Sequence, residues 1–188
     1  MGEWQKLHAP FGPLSVNLAG AQLGQPQLIE RLEQLLEQSG LEPSRLQLEI
    51  TESFIMNQTE EALAVLHGLK RLGVQLAIDD FGTGYSSLSY LKRLPLDILK
   101  IDKSFIRGLP DDPHDAAITR AIIALGRSMQ LTVIAEGVET EGQQSFLTHE
   151  GCEQIQGFVL SPPLPAELFA SKFLKPRQPI GAPREAPV

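Results

Sequence analysis

The sequence predicts an α/β protein built round a parallel sheet, on three observations. Six short β-type runs alternate with longer stretches of helical periodicity, the pattern of successive βα units. Each run closes on a polar or charged residue after a few apolar ones, as strands do whose C-terminal ends gather on one functional face. At 188 residues and 42% apolar content, the chain is long enough for one soluble domain with a sizeable core.

The elements follow in order. LSVNL (14 to 18) reads as the first strand, ending at Asn17. Residues 26 to 38 repeat apolar side chains at helical spacing through Leu28, Leu32, Leu35 and Leu36, and Gly40 stops the helix. LQLEIT (46 to 51) is the second strand, carrying Glu49. The spacing of Leu63, Leu66 and Leu69 predicts a helix over 60 to 72, closed by Gly73. VQLAID (74 to 79) is the third strand and leads into the acidic pair Asp79-Asp80 and the glycine turn of Gly82 and Gly84. LDILKI (96 to 101) is the fourth, with Lys100 near its end. Ile118, Ile122 and Leu125 mark a helix over 114 to 129. LTVIAE (131 to 136) ends at Glu136, and Thr140 is placed to start a helix after it. EQIQGFVL (153 to 160), containing Gln156, is the sixth strand. Residues 175 to 188 are rich in Pro and poor in core residues, and read as a flexible tail.

Charge and composition exclude several function classes. A formal net charge of -7 argues against broad binding to a nucleic acid polymer or an anionic membrane surface. No apolar run approaches the roughly 20 residues of a membrane span, so no membrane insertion is expected. The lone Cys152 allows no internal disulfide and suits a reducing cytoplasm.

Adjacent strand residues point to opposite faces, so Asp79 and Asp80 can both face one point only where the strand stops and the chain turns. Two carboxylates meeting there repel unless a proton or a cation lies between them. In an α/β barrel or an open parallel sheet, the strand ends would bring Asn17, Glu49, Asp79, Asp80, Lys100 and Glu136 together. Such oxygen-only ligation suits Mg²⁺ or Mn²⁺; the lack of a Cys cluster and the placing of His8, His67, His114 and His149 in loops or helices argue against zinc. Metal-assisted phosphoryl chemistry with two cations is the leading reading.

Plainer readings exist for each residue. Asp-Asp at a strand end is a common turn signal. Glu49 and Glu52 can be a solvated strand end and a helix start capped by Thr51 or Ser53, and Lys100 can be an exposed lysine paired to Asp102. Glu139 can simply be an acid ahead of a helix, Cys152 a packed thiol, and Phe81 and Tyr85 packing residues.

Taken together, SVNLAGAQL, LQLEITES, LAIDDFGTGYSSLSYLKRLPLDILKID, VIAEGVET and GCEQIQGFVLSPPLP resemble, in order and spacing, the bacterial EAL-domain cyclic-di-GMP phosphodiesterases, over about residues 13 to 173. The resemblance implies a modified TIM (β/α) barrel over residues 1 to 174 that hydrolyses cyclic di-GMP to linear pGpG with Mg²⁺ or Mn²⁺. It implies that Asn17, Glu49, Asp79 and Asp80 are metal ligands, that Lys100 stands beside the attacking water and phosphate, and that Glu136 is the general base or a metal-linked carboxylate. Glu52 would hold the DDFGTGYSS loop in shape, Gln156 would support the site near Glu139, and Asp102 is a further supporting acid. The loop about residues 80 to 90 would contribute homodimer contacts, and sensory or GGDEF-type domains would lie upstream in a longer parent protein.

The sequence also departs from the family. Two early strands, one bearing the Glu-Ala-Leu motif with its metal-ligand glutamate, have no counterpart here; Glu61-Ala62-Leu63 opens a helix and is coincidental. Ala19 and Ala21 stand where the family usually has Ser and Arg. About six of eight strands make an incomplete barrel, for which partial opening, oligomerisation or low stability is expected. The alternative functions are a non-catalytic module binding cyclic di-GMP or a protein, and an inactive fragment.

Overall fold

A computed structural model of the chain describes residues 12–55, 60–84 and 88–174. Its centre is a six-stranded sheet in the order β1-β2-β3-β4-β5-β6, every neighbouring pair parallel, curled into an open half-barrel. The strands are β1 Leu14–Asn17, β2 Leu46–Thr51, β3 Gln75–Phe81, β4 Ile98–Ile101, β5 Thr132–Glu136 and β6 Gln154–Gln156. Helices α1 Gly20–Leu23 and α2 Leu28–Ser39 follow β1, and α3 Glu52–Ile55 and α4 Glu60–Arg71 follow β2. Then come α5 Leu88–Leu91, α6 Pro113–Ser128, α7 Glu141–Glu150 and α8 Ala166–Phe173. No helix among the described residues is long and apolar enough to cross a membrane.

Strand alternation divides the side chains between two unequal environments. One face of the sheet sends Leu46, Leu48, Ile50, Leu76, Ile78, Leu99, Ile101, Val133 and Ala135 into the main core, where the helices cover them. The inner face carries a separate apolar cluster of Ala77, Ile98 and Ile134. Around it Ser15, Gln47, Gln75, Thr132, Gln154 and Gln156 line a hollow of about 860 Å³, partly roofed by residues 157–174. A closed TIM barrel fills this space with layers of branched side chains. Here the sheet remains open: all four residues of β1 are exposed, and so are Gln154 and Gln156 at the ends of β6.

Helix boundaries follow local chemistry. Gly40 ends α2 with φ +65°, and Gly151 ends α7 with φ +75°, both in the left-handed region that glycine enters without steric cost. The Asp112 carboxylate accepts hydrogen bonds from the backbone N–H groups of His114 and Asp115 to start α6. On α6 the buried stripe runs through Ala116, Thr119, Ile123 and Gly126, and Gly126 presses so closely on Val133 that an added Cβ would lie 2.3 Å from its Cγ2.

Three sequence expectations need correction. Ile118 and Leu35, expected on buried helix faces, are 40% and 60% exposed, because each falls at the margin of its helix's stripe. The sixth strand spans only Gln154–Gln156, since Val159 and Leu160 leave the ladder in a turn in which Leu160 N–H donates to the Gly157 carbonyl. The helix of Ala166–Phe173 was not expected; it exposes Leu168 and Phe173, so no strong periodic stripe marks it. The tail reading of residues 175–188 lies outside the described residues.

Ile50, fully buried in the main core, should cost roughly 2–5 kcal/mol of unfolding free energy when changed to Ala, read from urea denaturation. The two N–H bonds hold the Asp112 carboxyl below its ordinary value of 3.8. Its stabilising effect is therefore present above that value and is lost as pH falls through the lower folded value. Asp112→Asn, which still accepts the bonds but does not titrate, should show a shallower acid-side loss of stability in melts across that range.

Candidate metal and active site

The acidic pair is delivered by an irregularity within β3. Ile78 pairs with Leu99 and Phe81 with Ile101, so three steps along β3 match two along β4. The extra residue is a bulge, and Asp80 takes it up at φ +55°. This conformation costs most residues on the order of 1 kcal/mol, and Asp tolerates it better than most. The result is that Asp79 and Asp80 both serve one point while Phe81 returns to the core at 4% exposure. The strand does not have to end, as the sequence reading required; a local two-against-one mismatch does the same work.

After the bulge the chain turns through Gly82, at φ +100°, and Gly84. The carboxylate of Glu52, fully buried at the start of α3, accepts from Gly82 N–H at 2.8 Å and Gly84 N–H at 3.3 Å. Thr83 Oγ1 donates to the Asp80 carbonyl at 2.8 Å. Glu52 thus ties the start of α3 to the turn after β3. Tyr85 and the centre of the 80–90 loop lie outside the described residues.

Lys100 occupies the centre. Its ammonium lies 2.6 Å from Glu136 Oε1, 2.7 Å from Glu49 Oε2 and 3.1 Å from Asp79 Oδ1, with its side chain 3% exposed. The ammonium donates hydrogen bonds to Glu49 and Glu136 and forms an ion pair with Asp79. The exposed Lys100–Asp102 pair considered from sequence is therefore replaced by a buried cluster. Burial opposes the Lys100 charge, but the hydrogen bonds it donates to Glu136 and Glu49 overcome it and raise its pKa.

Asp79, Asp80 and Glu136 each offer a carboxylate oxygen, all within 4.8 Å of one another. At an effective dielectric near 20, each ionised pair at that range repels by on the order of 3 kcal/mol, less where water reaches Asp80. The carboxyls respond accordingly. Burial raises the pKa of Glu136 most, against the pull of Lys100. Asp80 is raised by burial and then by the charges of Asp79 and Asp102. Burial pushes Asp102 upward too, but bonds from Ser104 and the Lys103 backbone leave it below its ordinary value. Three hard oxygens with too little counter-charge fit a divalent cation of the Mg²⁺ or Mn²⁺ type. His67, His114 and His149 lie on α4, α6 and α7, apart from the cluster.

The other expected residues fall around this centre. Asn17 is opposite Glu49 in the β1–β2 register, and Gln156 opposite Glu136 in the β5–β6 register, both on exposed edge strands. Glu49 is outside the 4.8 Å carboxylate group, with Lys100 on one oxygen and Gln47 Nε2 at 3.0 Å from the other. Glu139 is on an exposed loop whose backbone is fixed: Gln143 Oε1 accepts from its N–H at 2.7 Å, and Gln143 Nε2 donates to the Ile106 carbonyl at 3.1 Å. Thr140 caps α7, as expected. Cys152 is half-buried against carbonyl oxygens, and burial raises its thiol pKa, so it is a packed thiol. Sequence reasoning missed Gln47 and Gln143. Gln47 had a signal, an amide at an inward position between Leu46 and Leu48, whereas Gln143 looked like any polar helix residue.

Comparison with known proteins places this geometry in a family. The chain is 52% identical over 165 residues to the bifunctional diguanylate cyclase/cyclic di-GMP phosphodiesterase MucR of Pseudomonas aeruginosa, covering 87% of this chain and 24% of that protein. The chain therefore spans about a quarter of the length of that relative. The structure of the MucR phosphodiesterase in complex with c-di-GMP superposes with a TM-score of 0.85 at 48% identity, over 89% of this chain and 68% of that one. The EAL domain of Mycobacterium smegmatis DcpA gives 0.88 at 41%, over 95% and 80%. A manganese and cyclic-di-GMP complex of Klebsiella pneumoniae BlrP1 gives 0.75 at 34%, over 80% and 39%. Residues 1–163 match the EAL domain, and this chain belongs to that family.

Proposed function

We propose that this chain carries the catalytic face of a cyclic-di-GMP phosphodiesterase, opening one phosphodiester with water to give linear pGpG. The observation that carries the reading is the gathering of Asp79, Asp80 and Glu136 beside buried Lys100 at the strand ends. The c-di-GMP complexes of MucR and BlrP1 support the choice of substrate.

Asp79, Asp80 and Glu136, with Asn17 and Glu49 on neighbouring strands, would hold Mg²⁺ or Mn²⁺, two ions in the full arrangement. When bound, such ions neutralise phosphodiester charge and lower the pKa of water. The remaining work belongs to the chain. Lys100 supplies the counter-charge that keeps Glu49, Asp79 and Glu136 close together while ionised. Glu136 serves either as a carboxylate ligand of the cation or as the proton acceptor for the attacking water, and in both roles Lys100 holds its Oε1. Glu52 holds Gly82 and Gly84, and through them the direction of Asp80. The single cysteine accords with a reducing cytoplasmic setting. Further domains of the kind that make MucR bifunctional would supply the regulatory input.

Incubated with cyclic di-GMP, the chain should release pGpG only with Mg²⁺ or Mn²⁺, and Asp79→Asn or chelation should abolish the product peak on chromatography. Turnover that persists without divalent metal would reject the mechanism, and tight binding without product would identify a non-catalytic binding module. In metal-free protein, Lys100→Met leaves its carboxylates unbalanced and should cost roughly 3–5 kcal/mol at neutral pH. The Glu136 carboxyl, already raised, would rise further, so the stability it contributes is present below its ordinary value of 4.5 and fades as pH climbs through the folded value. The variant should thus regain stability relative to the parent as pH falls through that folded value towards 4.5 in thermal melts.

A further inference from the structure

We infer that Gln47 is a positioning residue for Glu49, holding that carboxylate in the orientation from which it can serve the cation site; this rests on the metal-site reading above. Gln47 and Glu49 are two residues apart on β2, so both project to the inner face. Gln47 is 4% exposed. Its Nε2 lies 3.0 Å from Glu49 Oε1, while Lys100 Nζ lies 2.7 Å from Glu49 Oε2. An ionised carboxylate only accepts, so the amide edge facing it is the NH₂ group.

Two donors from different directions, one per oxygen, fix both the position and the plane of the carboxylate. Each oxygen retains a lone pair. A longer hydrocarbon side chain of the same volume would fill this inward position without the desolvation that burial imposes on an amide. The hydrogen bond is therefore the feature that distinguishes Gln47 from packing. Its geometry also opposes a specific competitor. Glu49 is outside the carboxylate group of Asp79, Asp80 and Glu136, drawn towards Lys100. Without a donor at Oε1, both oxygens of Glu49 are free to turn onto the ammonium, and the carboxylate is lost to the cation site.

The test is Mn²⁺ titration of the full 188-residue chain, with free Mn²⁺ read by its electron paramagnetic resonance signal and the metal-free Tm measured in parallel. Gln47→Met keeps the length and removes the donor; Gln47→Leu removes the donor with a shorter apolar side chain. Both should weaken Mn²⁺ binding about 10–100-fold, the range for lost outer-sphere partners, with the metal-free Tm of Gln47→Met close to the parent's. If either variant does not fold, the other carries the measurement. Unchanged Mn²⁺ affinity in the folded variants overturns this inference alone, as does a metal-free Tm that falls in step with affinity, which would make Gln47 a packing residue. A parent chain that binds no Mn²⁺ overturns the cation-site reading and this inference with it.

Discussion

One buried ammonium makes this site possible. Lys100 sits next to the last residue of β4, 3% exposed, with Glu49 from β2, Asp79 from β3 and Glu136 from β5 around it. Remove its charge and the strand ends would present carboxylates at distances where mutual repulsion favours proton uptake or separation. With it, three strands can converge while their acids remain ionised. The compensation is incomplete, because Asp80 and Asp102 add further negative charge, and burial, together with the charges of Asp79 and Asp102, raises the pKa of Asp80. The same imbalance that strains the metal-free site would favour a divalent cation there.

Placement of the acids depends on backbone devices that cost little individually. The bulge in β3 lets two successive residues share one side, and the left-handed Asp80 leads directly into the glycine turn. Glu52 closes the arrangement from a different βα unit, its two bonds spanning about thirty residues of sequence. Gly84 is small for a reason: a Cβ there would stand 3.0 Å from Glu52 Oε1. An acid on β2's following helix therefore sets the direction of an acid on β3, and the two strands are adjacent and in register.

Much of this was legible in the sequence because period and position carry it. Position at the strand ends placed Glu49, Lys100 and Glu136 on one rim, and helical spacing predicted Leu28–Ser39, Glu60–Arg71 and Pro113–Ser128 to within two residues at either end. What could not be read was the mechanism by which Asp79 and Asp80 meet, since a bulge is a relation between two strands and leaves no mark in one of them. Lys100 had two readings, a member of the strand-end site or a lysine paired to its neighbour Asp102, because its three partners lie 51, 21 and 36 residues away. Ile118 and Leu35 failed for a different reason, because a helix stripe is wide enough to leave apolar residues at its margin in water.

An open sheet with a well-formed centre has consequences for which parts of the site are firm. Glu49, Asp79, Lys100 and Glu136 come from β2 to β5, each paired on both sides and backed by the main core. Asn17 and Gln156 come from β1 and β6, each paired on one side only and exposed to solvent. Local opening concentrates where backbone hydrogen bonds face water and apolar contacts are few. The anionic centre is thus the rigid part, and the two amides that would complete its rim are the adaptable part. Closure of the rim and retention of the carboxylate cluster are separable properties, because the first depends on the edges of the half-barrel and the second on the four strands between them.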